Sequence, residues 1–304
     1  MKGRICRCRV AVAAGVLLVS SPLRPTLAGQ HRQDVEFTEP WTGAVVVPVT
    51  VNGTGPYSFL IDTGSSHTAV TSSVAAQVTA PRVARTQLSS ASGEGWVAVV
   101  RLGRMAVAEV EFQDVLATEL PTVQFVDGQT IDGIIGRDLL EQRPFTIDYR
   151  RHVFGWSAEP DGAGMSLALD ESGPVWLVTL NAADRPMRLV PDSGATGLVV
   201  FDRGQWRGLR YLGGTTGVET VTSRTTARRG TLSQLNIGTA RVVNQEVTVM
   251  DGAQVSDAHG DGLLPLHWFD SVSVDTARGR LFITQTSSRH LLASARREPG
   301  VQTE

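Results

Sequence analysis

Apolar residues along this chain recur mostly at every second position. Val45, Val47, Val49 and Val51 alternate with other residues and run into Asn52-Gly53. That pattern predicts a half-buried strand ending in a tight hairpin turn. Trp96, Ala98, Val100 and Leu102 alternate again. Helical spacing is brief and predicts helices only at Ser72–Gln77, Arg137–Gln142 and Leu264–Phe269. Glycine punctuates the short runs, and Val, Thr and Ile fill them. The pattern is that of an all-β chain built from many short strands.

The pattern is also written twice. Residues 61–70 read I-D-T-G-S-S-H-T-A-V, and residues 191–200 read P-D-S-G-A-T-G-L-V-V. The offset of 130 that joins Asp62 to Asp192 also joins Pro56 to Pro186, Met105 to Leu235 and Val107 to Ile237. A second element, Ile131-Asp132-Gly133-Ile134-Ile135-Gly136, returns 129 residues later as Asp261-Gly262-Leu263-Leu264-Pro265. Each copy leads into an apolar strand with an aspartate, Thr146-Ile147-Asp148 and Ser273-Val274-Asp275. Two similar halves are therefore expected, 41–157 and 165–285. The Pro- and Gly-bearing stretch Ser157–Ser166 is read as their linker, and 286–304 as a flexible tail.

The repeated Asp-Thr-Gly and Asp-Ser-Gly carry the candidate chemistry. Peptide hydrolysis without a metal or a covalent intermediate needs an activated water and a proton for the leaving nitrogen. Two carboxylates that share one proton supply both, because like charges held close do not ionise together. The ionised one acts as base on water and the protonated one polarises the carbonyl. A buried run, Phe59-Leu60-Ile61, would deliver Asp62, and Gly64 and Gly194 would permit tight turns. The hydroxyls of Thr63 and Ser193 can lock the two loops, and that of Ser65 can hold the outer oxygen of Asp62. A single Asp-Thr-Gly is usually an ordinary turn. Two copies with matching flanks and a matching second element are not.

These residues resemble the aspartic peptidases of the pepsin/retropepsin superfamily, and within it the single-chain bacterial retropepsin-like branch. The resemblance covers both halves. It implies two similar six-to-eight-stranded β-barrel-like lobes with short helices, related by a pseudo-twofold axis, with the active cleft between them. It implies Asp62 and Asp192 as the catalytic pair, a monomer, and a peptide or protein substrate. It further implies a β-hairpin flap over the substrate. The candidate is Thr86–Leu102, with Gly93, Glu94 and Gly95 at the tip and Trp96 beside it, either as a lid aromatic or as a residue packed in a strand. The matching stretch Ser223–Gly230 is polar and Arg-rich, a second loop over the site or a solvated hairpin. The second half departs from the pattern at Pro191, Ala195 and Pro265, each of which removes a donor or a hydroxyl. Those prolines motivate the rival reading, a non-catalytic peptide- or ligand-binding protein on the same scaffold. A form needing a second chain is disfavoured by the duplication.

Other chemistry is set aside. The histidines, His31, His67, His152, His259, His267 and His290, show no metal-ligand spacing, so no metal and no cofactor are expected. His67 is read as bonding a nearby loop. Asp132, Asp148, Asp261 and Asp275 are read as turn or capping residues, and Asn52-Gly53-Thr54 as an exposed turn. No Gly-x-Ser-x-Gly is present. Composition is ordinary for a globular chain of 304 residues, with 41% hydrophobic and 19% charged residues and a net charge of -2. No basic cluster in the body marks a nucleic-acid partner. Lys2, Arg4, Arg7 and Arg9 precede an apolar run at Val10–Val19 and a site at Thr26-Leu27-Ala28, the layout of a signal peptide over 1–28. The run is short for a membrane span, so the chain is expected to be exported, periplasmic or secreted, without stable membrane insertion after cleavage. Cys6 and Cys8 both lie in that leader, which leaves the mature chain without thiol chemistry.

Overall fold

The computed structural model describes residues 34–90, 93–120, 130–157, 164–183, 185–220, 223–238 and 240–284. The expected leader and tail lie outside the described residues, as does the middle of the expected linker.

In the first half the strands are β1 (Asp34–Glu36), β2 (Val46–Val51), β3 (Thr54–Ile61), β4 (Ala69–Thr71), β5 (Arg82–Ser90), β6 (Gly93–Val107), β7 (Val110–Leu120), β8 (Gly133–Ile135), β9 (Phe145–Asp148) and β10 (Val153–Gly155). In the second they are β11 (Met165–Ala168), β12 (Val178–Ala182), β13 (Arg185–Asp192), β14 (Val199–Asp202), β15 (Leu209–Thr220), β16 (Ser223–Ile237), β17 (Ala240–Asp251), β18 (Gly262–Pro265), β19 (Ser271–Asp275) and β20 (Arg280–Thr284). The first sheet runs β2-β3-β8-β4-β7-β6-β5 and the second β12-β13-β18-β14-β17-β16-β15, the same order at the same places. Pairing of β2 with β6 and of β12 with β16 closes each into a six-stranded barrel. Closure removes exposed edges, and β5 and β15 remain outside as the outer arms of long hairpins.

Local chemistry explains the elements. Val47, Val49 and Val51 point into the first barrel while Pro48 and Thr50 face out. Asn52 and Gly53 both take positive φ, the geometry a two-residue hairpin turn demands. Helix α1 (Ser72–Gln77) starts where Thr71 accepts a hydrogen bond from Val74 N. Helix α2 (Arg137–Leu140) is one turn long, and at Leu266–Trp268 the expected helix is a 3₁₀ turn. The repeated Asp-Gly places a glycine where an antiparallel neighbour, β4 or β14, crowds it. A Cβ on Gly133 would lie 2.5 Å from Ala69 O, and one on Gly262 2.0 Å from Val199 O. The aspartates beside them hold turns: Asp132 accepts from Ser58 N and Asp261 from Arg188 N, both in half-for-half register.

One sheet was not foreseen. The two Asp-bearing strands, β9 and β19, pair with each other, antiparallel, as Ile147↔Val272 and Thr146↔Ser273. They centre a six-stranded sheet, β1-β10-β9-β19-β20-β11, drawn from both halves. Over it Phe145, Phe154, Trp156 and Trp176 pack with ring centroids 5.1–6.4 Å apart. A shared sheet and a shared aromatic core hold the halves as one body, and fix where the ends of β3 and β13 meet.

Candidate active site

Strands β3 and β13 end at Ile61 and Asp192, and the turns that follow meet face to face. Thr63 and Ser193, each 1% exposed, lock them. The Thr63 hydroxyl donates to the Pro191 carbonyl at 2.7 Å, and the Ser193 hydroxyl donates to the Ile61 carbonyl at 2.7 Å. Thr63 N donates to Ser193 Oγ (3.1 Å) and Ser193 N to Thr63 Oγ1 (3.0 Å). Every bond in this set crosses between halves, and each buried hydroxyl both gives and takes, so no donor is stranded.

The lock brings the two carboxyl groups together. Asp62 Oδ1 accepts from Gly64 N (2.9 Å) and Ser65 N (3.1 Å); Asp192 Oδ1 accepts from Gly194 N (2.7 Å) and Ala195 N (3.1 Å). Gly64 lies directly against the opposing acid: a Cβ there would sit 2.7 Å from the Asp192 carboxyl carbon and from Oδ2. A Cβ on Gly194 would fall 3.3 Å from Asp192 Oδ1 and 3.5 Å from Asp62 Oδ1. At position 64 only glycine leaves that room, while at 194 a Cβ would be a tight contact. Burial outweighs the backbone donors and pushes both carboxyls up, Asp62 to about 6 and Asp192 to about 7. The neighbouring Asp62 charge adds to the burial of Asp192. Such a pair exchanges its protons as a unit, holding one proton and one charge over the interval between its two titrations.

The supporting residues need one correction and yield two explanations. The Ser65 hydroxyl does not hold Asp62; it donates to the His67 carbonyl at 2.9 Å. The Asp62 contact is made by the Ser65 backbone N–H, which is why Ala195 can replace the serine in the second half without loss at Asp192. His67 bonds Ser66 Oγ through Nδ1 at 2.7 Å. Pro191 forfeits a donor that Ile61 uses toward Val45 O (2.8 Å), but its carbonyl, the part that joins the lock, is retained.

The hairpins also differ from expectation. Strands β5 and β6 pair up to Ser90↔Gly93, so the connection falls at 91–92, outside the described residues. Gly93, Glu94 and Gly95 thus lie on the returning strand, not at the tip: glycines marked the strand that follows the turn. Trp96, opposite Gln87, is 65% exposed, so it is not packed in the core. The Arg-rich stretch is a second long hairpin, β15–β16, paired up to Thr220↔Ser223. Both halves therefore raise an arm.

Three residues missed from sequence shape the site. Asp138 accepts from Thr68 N (2.9 Å) and Thr68 Oγ1 (2.7 Å), and Thr68 Oγ1 accepts from Gly136 N (3.2 Å), bracing the element beside Asp62. Arg137 reaches into the other half, donating to Gly173 O (2.6 Å) and Glu171 O (2.9 Å) and lying over the Trp176 ring. A comparison of the two repeats at positions 68, 137 and 138 was the signal available, because all three change together in the second copy, to Leu198, Leu266 and His267.

A family model described as aspartyl protease matches the chain twice, over residues 47–139 and 178–268, one match to each barrel. A comparison with curated proteins gives no match.

Proposed function

Because the chain belongs to the aspartyl protease family, we propose that it is an aspartic endopeptidase in which Asp62 and Asp192 act as one proton-sharing pair. The observation that carries this reading is the crossing of Asp192 against Gly64 and of Asp62 against Gly194, held by the reciprocal Thr63–Ser193 lock. In the singly ionised pair, the charged carboxylate takes a proton from water as that water attacks the peptide carbonyl. The protonated partner donates to the carbonyl oxygen. Collapse of the tetrahedral intermediate returns a proton to the departing nitrogen and the pair to its starting state. Burial raises both acids and the Asp62 charge raises Asp192 further, which favours the proton on Asp192 and the charge on Asp62.

The substrate in this reading is an extended peptide lying across the paired turns, with the β5–β6 hairpin and its exposed Trp96 closing over it. The protein acts as a monomer, since one chain supplies both aspartates, and outside the cytoplasm, on the strength of the leader-like 1–28. No helix among the described residues is long and apolar enough to cross a membrane. The test is cleavage of a diverse peptide pool by the purified mature chain from acidic to neutral pH, with and without pepstatin. Cleavage that vanishes in both Asp62→Asn and Asp192→Asn supports the pair. Binding of peptides with no cleavage at any pH would move the protein to the binding-scaffold reading.

A further inference from the structure

Beside Asp192 the structure leaves a polar group with nothing to bond. His267 stands where Asp138 stands in the first half. Around Asp138 three polar groups satisfy one another: the carboxylate, the Thr68 hydroxyl and the Gly136 N–H. At the matching places of the second half are His267, Leu198 and Pro265, so the hydroxyl and the N–H are both gone. The imidazole instead faces the first half. It lies against the Ala195 backbone and within the field of Glu39. Gly43 rests on the ring: with φ at +86°, a Cβ there would come 2.4 Å from Nδ1. Nδ1 itself is buried and has no hydrogen-bond partner.

The surroundings are set up to answer a charge at that atom. Glu39 Oε1 accepts from Gly43 N at 2.7 Å, and Oε2 lies 3.3 Å from His152 Nε2. Tyr149 Oη is also buried without a partner, in the fields of Asp192 and Glu39. Phe37 packs on both Tyr149 and His152. The strap 39–43, the turn 149–152 and His267 thus converge next to the Asp192 turn.

We propose that His267 is a proton-linked positioning residue for Asp192: when charged, it ties the first-half strap, through Glu39 and Gly43, to the backbone of Ala195. The proposal rests on reading Asp62 and Asp192 as the working pair. A charged imidazole carries a donor on each ring nitrogen, so protonation puts a donor and a positive charge on the side of the ring that Gly43 and the Glu39 strap face. Ala195 N–H is one of two donors on Asp192 Oδ1, so fixing that backbone fixes the carboxylate. On the Asp62 side the corresponding tie between halves is Arg137, which never loses its charge. One tie is permanent and the other titrates.

The groups facing His267 are Glu39 from the strap, Tyr149 and His152 from the turn by way of Glu39, and Asp192 beyond Ala195. Burial, the largest influence, holds His267 below the usual histidine range, with Glu39 and the Ala195 backbone opposing it. Charging therefore belongs to mildly acidic pH. There an imidazolium favours the first ionisation of the aspartate pair. Removing it moves that ionisation to higher pH.

Two measurements on the mature chain test this, one of them independent of activity. In His267→Asn the acid limb of kcat/KM should move up by roughly half to one pH unit, costing about three- to tenfold at pH 5 and much less at pH 7. Glu39→Gln should move it the same way, and the double variant no further. By NMR, the aspartate carboxyl carbons should show the same upward move in His267→Asn, and the His267 ring should titrate lower in Glu39→Gln. Carboxyl titrations and an acid limb left in place by both single variants overturn the proposal. If the wild type cleaves nothing, the catalytic reading fails alone, and the carboxyl titration still decides whether His267 and Asp192 are linked. If His267→Asn does not fold, Glu39→Gln decides through its own carboxyl and ring titrations.

Discussion

The Asp62 turn and the Asp192 turn are near copies where they touch and strangers one layer behind. In front, both use a hydroxyl to reach the opposite strand and two backbone N–H groups to hold one carboxylate oxygen. Behind Asp62 the support is polar, Thr68 with Gly136 and Asp138. Behind Asp192 it is apolar, with Leu198 1% exposed and Pro265 buried, and His267 turned away. The difference shows what a duplicated chain is free to change. A bond made between halves constrains both copies at once. A buried polar set inside one half is exchangeable only as a set, because a donor or acceptor left behind costs about 1–3 kcal/mol.

The largest effect asks whether the two aspartates are one unit. Asp62→Asn and Asp192→Asn should each lower kcat by ~10³-fold or more, since neither acid alone holds both a base and a proton. Their double variant should be little worse than either. Steady-state cleavage of a peptide found in the pool screen measures this. A variant at one aspartate that keeps a tenth of the activity would dissolve the symmetry on which the mechanism depends.

The next effect separates the two supporting layers. Gly136 has no room for a side chain: a Cβ would lie 2.4 Å from the His67 carbonyl carbon and 2.5 Å from its oxygen. Gly136→Ala should destabilise by about 3 kcal/mol, as overpacking against backbone does. Pro265→Ala, at the same place in the other half, breaks no hydrogen bond through the ring nitrogen and should cost about 1–2 kcal/mol, from lost ring packing and unfolded-chain entropy. Urea denaturation of both variants gives the comparison. Equal losses would mean that the layers are not built differently.

The front layer should respond evenly. Thr63→Val leaves the Pro191 carbonyl without its donor, and Ser193→Ala does the same to the Ile61 carbonyl. Each should cost about 1–3 kcal/mol. The two hydroxyls share one network, so the double variant should fall short of the sum. Full additivity in denaturation would show two independent bonds in place of a lock.

How much of this was legible in sequence follows the same division. Period-two valines and the Asn52-Gly53 turn fixed β2 and β3, because alternation and a positive-φ turn are local properties. The repeat located both aspartates and, through Thr63 and Ser193, the residues that join them. Three things were not local. The β9–β19 pairing needs both halves at once, and neither strand carries a mark of its partner. The hairpin connection at 91–92 is set by register, while Gly93 and Gly95 drew attention to the strand after it. Ser65 offered a hydroxyl for a task that backbone N–H groups already perform. Thr68, Asp138 and His267 were readable only as a correlated change across the repeat, which no single motif displays.

The smallest effect is the most direct test of how differently the two acids are raised. Both carboxyls titrate higher in the folded chain than their ordinary value of 3.8, Asp62 at about 6 and Asp192 at about 7. The folded state therefore binds their protons more tightly than the unfolded state does. The stability this contributes is whole below pH 3.8 and is lost as pH rises, through about 6 for Asp62 and about 7 for Asp192. Asparagine keeps an oxygen for the two backbone donors and carries no charge at any pH. Relative to wild type, Asp192→Asn should then melt at nearly the same temperature at pH 4 and several degrees higher at pH 7.5, taking ~2–4 °C for each kcal/mol in a chain of this size. Asp62→Asn should gain less, because its carboxyl is raised less. Calorimetric melting of the three proteins across that range measures the gap. A gain independent of pH would trace to packing and not to charge. An Asp62→Asn gain exceeding that of Asp192→Asn would place the proton on the other aspartate and reverse the assignment of base and acid.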